Sequence, residues 1–214
     1  MPAITARRFR PEDRAAVRRI CHRVGYMGEP ATWYWPHVES FADIWTAYYT
    51  DHEPQSLFVA VRGDEVVGYL SGCIDSRRAP DPAQALSRAV VRHKLFLRAK
   101  IARFLLRGIR DALREGPAPS GTLDDPRWPS HLHINLLPEA RGVGAGAALM
   151  EAWLATLRAA GSPGCHLTTM LENERALAFF ERMGFKRHGA PHLLPGMRTP
   201  SGGRHHMQYM VRDV

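Results

Sequence analysis

Apolar residues along the chain alternate with polar ones in some segments and recur every three to four residues in others. The first pattern predicts strands and the second predicts helices. The predicted strands are residues 4–9, 57–62, 66–74, 131–137, 165–171, a strand that begins at Phe185, and residues 205–211. The turn Gly63-Asp64-Glu65 joins the second and third of these into a predicted hairpin.

The helical pattern covers residues 11–24, 84–114, 144–160 and 173–183. Gly184 follows the last of these helices and is expected to cap it. The segment 84–114 is long and basic, and its apolar stripe at helical spacing consists of Val90, Leu97, Ile101, Leu105 and Ile109. An aromatic-rich segment, residues 26–49, is expected to end as a helix and to pack mainly against the sheet.

The order of these elements predicts an α/β (α+β) fold in which a mixed central β-sheet carries helices on both faces. A helical insertion at about residues 77–128 interrupts the sheet, and a loop rich in Pro and Gly is predicted over residues 116–130. The length of 214 residues fits a single domain, residues 1–214.

Composition and charge narrow the function. No apolar run approaches the ~20 residues that cross a bilayer, and residues 1–10 lack the apolar stretch of a signal peptide. The three cysteines have no metal-ligand spacing, so a cytoplasmic protein without a metal is expected. The formal net charge of +8 favours anionic partners. No nucleic-acid motif accompanies that charge, so nucleic-acid binding is not expected as the main function.

A glycine-rich loop between a strand and a helix carries the most specific chemistry. The strand ends at Pro138, and a helix begins soon afterwards. Glycine lets the backbone approach a ligand and turn its N–H groups outward, and the first turn of a helix adds donors for an anion. The sequence therefore predicts a pyrophosphate site, here called the glycine loop, made of Arg141, Gly142, Val143, Gly144, Ala145, Gly146 and Ala147.

The glycine loop resembles the phosphate loop of the GNAT superfamily of N-acetyltransferases, whose pattern is Gln or Arg, two residues, Gly, one residue, then Gly or Ala. Residues 173–185 look like the family's later helix, which runs from Asn through Ala to Gly-Phe. The N-terminal order of strand, two helices and hairpin agrees as well. Residues 131–138, the insertion and Gly68-Tyr69 are also similar to the acetyltransferase-like domain of O-GlcNAcase and its free-standing bacterial relatives.

Two other interpretations of the glycine loop stay open at this point. Residues 142–147 satisfy the dinucleotide pattern G-x-G-x-x-A. That pattern requires its first Gly directly after the strand and an acidic residue ~20 positions later, whereas four residues intervene here and Glu172 comes late. A purely structural turn is the other alternative.

The resemblance implies acetyl-CoA as co-substrate and an amine, not identified by the sequence, as acceptor. It implies that the glycine loop holds the pyrophosphate and that the backbone at Leu136 and Leu137 runs beside the pantetheine. Asn173 and Phe180, on the later helix, are further candidate cofactor contacts. Acetyl transfer is expected by direct attack, without an acyl-enzyme.

The strand before the loop has one polar face, formed by His131, His133 and Asn135, and an opposite apolar face. In the family the polar face borders the acceptor, which makes His133 and Asn135 the candidate catalytic residues. The alternative is that they only hydrogen-bond to their neighbours.

The resemblance also shows a departure from the family. The position of the family's usual tyrosine, which protonates the departing thiolate, is occupied by Phe180. Tyr209, Tyr48, Tyr49 or water are the candidate substitutes. Two other functions remain: a coenzyme A-binding module that no longer transfers acetyl groups, and a binder of an acidic partner through the basic helix at residues 84–114.

Overall fold

The computed structural model describes residues 3–116, 122–199 and 201–214. Within them the chain forms one mixed sheet in the order β1-β2-β3-β4-β5-β7-β6. All neighbouring strands are antiparallel except β4 and β5. The strands are β1 (Ile4–Arg8), β2 (Leu57–Arg62), β3 (Glu65–Cys73), β4 (Ser130–Leu136), β5 (Gly164–Met170), β6 (Lys186–Arg198) and β7 (Arg204–Asp213).

Helices cover both faces of this sheet, as predicted. They are α1 (Arg14–Arg23), α2 (Val38–Asp51), α3 (Pro82–Arg92), α4 (Ala99–Glu115), α5 (Ala145–Ala159) and α6 (Glu174–Arg182). One core, under α1 and α2, contains Ile20 and Tyr69. The other lies under α5 and α6 and surrounds Trp153. A Cβ added at Gly72 would lie 2.5 Å from the Trp153 ring, so α5 can pack this closely only over a glycine. The predicted α/β fold is confirmed.

The insertion differs from the prediction of one long helix over residues 84–114. The chain breaks after α3 at Lys94, whose φ is 49°. Two tertiary contacts explain the break: His93 bonds through Nε2 to Asp43 of α2 (2.7 Å), and Leu95 is fully buried. The helical register restarts in α4. The predicted apolar stripe is wrong at Leu97 and at Ile109, which are both exposed.

The other predicted loop and cap can be placed in part. Of the Pro- and Gly-rich loop at residues 116–130, residues 117–121 lie outside the described residues, and residues 122–129 contain no helix or strand. Gly184 follows α6 with a φ of 83°, as a capping glycine should. None of the helices in the described part of the chain is long and apolar enough to cross a membrane.

The parallel strands β4 and β5 separate after a short stretch of pairing. In the described chain they pair only where Ser130 faces Cys165 and His131 faces His166. On its other edge β4 pairs with β3 as far as Leu136. A wedge-shaped opening, here called the strand gap, therefore lies between residues 133–136 of β4 and the C-terminal half of β5.

The backbone of β4 presents hydrogen-bonding groups to the strand gap. The N–H of Leu137 donates to Val67 of β3 (2.9 Å). Successive residues of a strand point their N–H and C=O groups to opposite edges of that strand. Because Leu137 points toward β3, the N–H and C=O groups of Leu136 and Ile134 face away from β3 and into the gap. An open strand edge of this kind can accept an extended ligand as an added strand.

Candidate active site

The strand gap leads directly into the glycine loop. A single 3-10 turn, Pro138–Ala140, follows β4. Gly142 and Gly144 then have φ values of 72° and 87°, in the left-handed region that favours glycine. Gly144 is the N-cap of α5 and provides no side-chain cap. The N–H groups of residues 145–147 therefore have no partner within the helix and lie at the positive end of its dipole.

The remaining loop residues divide between solvent and core. Val143 is 60% exposed, and Ala145 is buried in the core under α5. A Cβ added at Gly146 would lie 3.0 Å from the Phe179 ring and 3.3 Å from the Leu136 side chain. Gly146 therefore allows α5 to approach α6 and the end of β4, whereas Gly142 and Gly144 set the shape of the loop.

The Arg141 side chain is held by backbone carbonyls. Its Nε and Nη2 donate to the oxygen of Leu136 (3.1 and 3.0 Å), and Nη2 also donates to the oxygen of Gly28 (2.7 Å). Arg175 of α6 donates from its own Nη2 to the oxygen of Met27 (3.1 Å). Burial, followed by the charge of Arg175, lowers the pKa of Arg141. A bound anion would relieve this repulsion between like charges.

Arg175 is a further candidate site residue that the sequence did not indicate, although it lies within residues 173–185, which resemble the family's later helix. No spacing rule links it to Arg141. A Cβ added at Gly28 would collide with Nη2 of Arg175 and lie 2.9 Å from Nη2 of Arg141. One glycine in the chain between α1 and α2 therefore brings the two guanidinium groups together.

The two predicted cofactor contacts on the later helix have other partners in this structure. Asn173 caps α6, because its Oδ1 accepts a hydrogen bond from the N–H of Ala176 (3.2 Å). Phe180 is buried in the core under α5, where its ring packs edge-on against Phe179 and Phe185. Their contact with a cofactor stays a prediction.

His133 lies on the α2 face of β4, beside the rings of Tyr49 (5.7 Å between centroids) and Trp45 (6.0 Å). Burial, followed by the charge of His166, lowers the pKa of His133 to about 4, so the imidazole is neutral at pH 7. No described residue hydrogen-bonds to this ring.

Ser71 faces His133 across the β3–β4 pair, and its buried Oγ has no hydrogen-bond partner among the described residues either. Side chains of directly opposite residues share a face of the sheet. Buried polar groups without a partner are uncommon. The buried Oγ of Ser71, next to a half-buried His133 ring without a hydrogen-bond partner, indicates a place where a substrate group or a water molecule is held.

The other two residues of the polar face of β4, Asn135 and His131, both have hydrogen-bond partners. Asn135 donates from Nδ2 to the hydroxyl of Tyr69 (2.8 Å), its neighbour across the strand pair. His131 is buried between the hydroxyls of Tyr49 (2.7 Å) and Ser76 (2.8 Å). The three side chains share one face, as predicted, but His133 is the member whose ring nitrogens remain available.

The cysteines behave as packing residues. Burial raises the pKa of Cys21 to about 12, that of Cys73 to about 11 and that of Cys165 to about 12, so all three thiols stay protonated at neutral pH. Within the described ranges no group of three or more His, Cys, Asp or Glu side chains is placed to hold a metal ion.

Together these features define an α/β protein in which two parted parallel strands lead to the uncapped N-terminus of a helix. The model of the acetyltransferase (GNAT) family matches residues 25–185, well over half of the chain. The chain belongs to this family. Membership supports acetyl transfer as its general activity and acetyl-CoA as the acetyl donor.

Solved structures share the fold over nearly the whole chain. SsHAT is similar at 26% identity with a TM-score of 0.66, and the match covers 99% of this chain and 98% of that one. YncA from Salmonella typhimurium, solved with its cofactor acetyl-CoA, gives 16% identity and a TM-score of 0.60 over 99% and 94%. A ribosomal-protein-alanine N-acetyltransferase from Brucella melitensis gives 15% and 0.60 over 98% and 99%. The last two likenesses show the fold alone.

Proposed function

We propose that this protein is an N-acetyltransferase that moves the acetyl group of acetyl-CoA to a primary amine by direct attack in a ternary complex. The observation that carries the proposal is the strand gap opening onto the uncapped N-terminus of α5. An extended pantetheine arm fits the open edge of β4 as an added strand, and a pyrophosphate fits the N–H groups of the glycine loop.

The end of β4 orients the thioester. The carbonyl oxygen of Leu136 is occupied by Arg141, but the N–H groups of Ile134 and Leu136 face the gap. One of them is placed to donate to the thioester oxygen, where negative charge develops during attack. Because the thioester is already activated, orientation of the two reactants contributes much of the rate enhancement.

His133 accepts the proton of the attacking amine, directly or through a water molecule. An amine with a pKa near ~10 is mostly protonated at pH 7 and must lose a proton before it attacks. The His133 imidazole is neutral under those conditions, because its pKa is about 4. A base this weak holds the proton only briefly and passes it to solvent. Asn135 orients the neighbouring Tyr69 hydroxyl and so shapes the same face.

One observation favours a second candidate, a coenzyme A-binding module without turnover. Phe180 stands where the family usually has a tyrosine, and its ring has no hydroxyl to protonate the thiolate. In this alternative the glycine loop would still bind the cofactor, and only the transfer step would be missing.

Calorimetric titration with acetyl-CoA and coenzyme A, together with acetyl-transfer assays on a panel of small amines and peptides, tests both candidates. Saturable binding with turnover of at least one amine supports the enzyme. Binding without turnover across the panel supports the module. If the folded protein binds neither acetyl-CoA nor coenzyme A, both are wrong.

A further inference from the structure

Acetyl transfer releases the thiolate of coenzyme A, and the residue at position 180 cannot protonate it. The substitutes suggested by the sequence are poorly placed. The hydroxyls of Tyr48 and Tyr49 are engaged with residues at or next to the N-terminal end of β4. Tyr209 lies on β7, one strand further from the strand gap than β5.

A different tyrosine begins a chain of hydrogen bonds. The hydroxyl of Tyr26 lies 2.9 Å from Nε2 of His205, and Nδ1 of His205 lies 3.1 Å from Oε2 of Glu172. His205 is fully buried, Tyr26 is 8% exposed, and the Glu172 side chain is 31% exposed. The carboxylate of Glu172 also accepts from the backbone N–H of His206 (3.1 Å), which fixes its orientation.

The turn that carries Tyr26 lies across the C-terminal end of the strand gap. Tyr26 and Glu29 exchange two backbone hydrogen bonds (2.9 and 2.8 Å). The guanidinium of Arg141 ties this turn, at Gly28, to the last residue of β4. On the other side of the gap, Glu172 comes two residues after the end of β5 and anchors the chain of hydrogen bonds there.

Tyr26 also lies on the appropriate face of the sheet. Its ring packs in the core under α1 and α2, together with Leu137 just after β4 and Met170 at the end of β5. His133 occupies the α2 face of β4. The candidate base and the Tyr26 ring therefore lie on the same face of the sheet, and the Tyr26 hydroxyl reaches His205 of β7 beyond the end of β5.

We propose that Tyr26 is the general acid of the transfer and that His205 and Glu172 are the positioning residues that supply its proton. This inference rests on the proposed acetyltransferase function. As the C–S bond breaks, its electron pair moves to sulfur, and sulfur takes the O–H proton of Tyr26. The Tyr26 oxygen takes the proton on Nε2 of His205, whose Nδ1 is held by the carboxylate of Glu172.

The proton balance closes through solvent. The proton lost by the amine leaves by way of His133, and His205 regains one proton from solvent beside the partly exposed Glu172. Burial, followed by the charge of Glu172, raises the pKa of Tyr26. The phenol therefore keeps its proton at neutral pH until the sulfur takes it.

Tyr26→Phe removes only the hydroxyl and keeps the ring contacts with Trp33 and Tyr34. We expect kcat with the best amine of the panel to fall by ~10²–10³, the range of one acid–base group. KM for acetyl-CoA and calorimetric coenzyme A affinity should stay at wild-type values. The solvent deuterium isotope effect on kcat should also shrink. Tyr34→Phe, in the same aromatic cluster but outside the hydrogen-bond chain, is the matched control and should retain the wild-type rate.

His205→Asn and the double variant Tyr26→Phe/His205→Asn test the chain itself. If His205 acts only through Tyr26, the double variant should be no slower than Tyr26→Phe alone. If His205→Asn fails to fold, Tyr26→Phe decides alone: a wild-type kcat and isotope effect overturn the relay and leave the acetyltransferase standing. Acetyl-CoA binding by the wild type without turnover of any amine also overturns the relay. Failure of the wild type to bind acetyl-CoA overturns the proposed function itself.

Discussion

The two sides of the strand gap are built in different ways. The part that is expected to bind the cofactor, here called the cofactor side, is one continuous stretch from the end of β4 through the glycine loop into α5. Its main donors are backbone N–H groups. The part that is expected to carry the chemistry, here called the acceptor side, is assembled from side chains of distant segments. One of its hydrogen bonds joins Tyr26 and His205, which are 179 positions apart in the sequence. Binding and chemistry should therefore respond separately to substitution.

The largest difference between an effect on turnover and an effect on cofactor binding is expected at His133. If its imidazole accepts the amine proton, His133→Ala should lower kcat by ~10²–10⁴ and leave coenzyme A affinity nearly unchanged. Steady-state kinetics combined with calorimetry measures the two effects. The smaller control is Asn135→Ala, which removes one orienting hydrogen bond and should cost less. If both variants transfer acetyl to a true acceptor with the wild-type kcat, His133 and Asn135 have only a structural role.

The pH profile sharpens the same test. Because the pKa of His133 is lowered to about 4, the ring becomes protonated, and unable to accept a proton, only as the pH falls through that value. The limb of the rate profile that belongs to His133 should therefore lie near pH 4 and should be absent from His133→Ala. If the limb that is lost in His133→Ala lies near pH 6.5 instead, the His133 ring is solvated during turnover.

Next in size is the effect of a charge on the cofactor side. Gly144→Asp places a carboxylate at the N-cap of α5, beside the expected pyrophosphate, and should weaken coenzyme A binding by at least ~2 kcal/mol. Because Gly144 has a φ of 87°, any side chain there strains the backbone as well.

Gly144→Asn is the matched control for that strain. It has the same shape as Gly144→Asp, it tolerates the left-handed region about as well, and it carries no charge. Calorimetry on the pair therefore isolates the electrostatic part. Equal affinities of the folded wild type and Gly144→Asp would remove the pyrophosphate from the glycine loop.

The same contrast explains what the sequence could predict. The glycine loop is local: its strand end, its glycines and its helix start follow one another, so the motif specifies the geometry. The mixed sheet with helices on both faces follows from element order. The break at Lys94 was not predictable from helical spacing, because it results from tertiary contacts of His93 and Leu95.

The acceptor side was only half predictable for a related reason. Alternation along β4 places His133 and Asn135 on one face, and the structure agrees. Nothing local indicates that Asn135 bonds to Tyr69, that Ser71 lacks a partner, or that Arg175 reaches the same turn as Arg141. These contacts depend on strand register and on where a distant turn lies, which residue spacing does not encode.

The smallest expected effect concerns Arg141, the residue that joins the two sides. If its guanidinium contacts the pyrophosphate, Arg141→Ala should weaken coenzyme A binding by about 1.5 kcal/mol, the lower end for a charge-assisted contact. The lower end is expected because the side chain already donates to Leu136 and Gly28. The loss should shrink at high salt, since Arg141 is only partly buried and screening weakens an ionic contact that solvent reaches. Arg175→Ala is the parallel variant: its donor holds Met27 in the same turn.

A loss for Arg141→Ala that does not depend on salt, with coenzyme A affinity retained in Arg141→Lys, would contradict direct recognition by the planar guanidinium. Arg141 would then be a clamp on the turn that carries Tyr26, and its removal should lower kcat more than cofactor affinity.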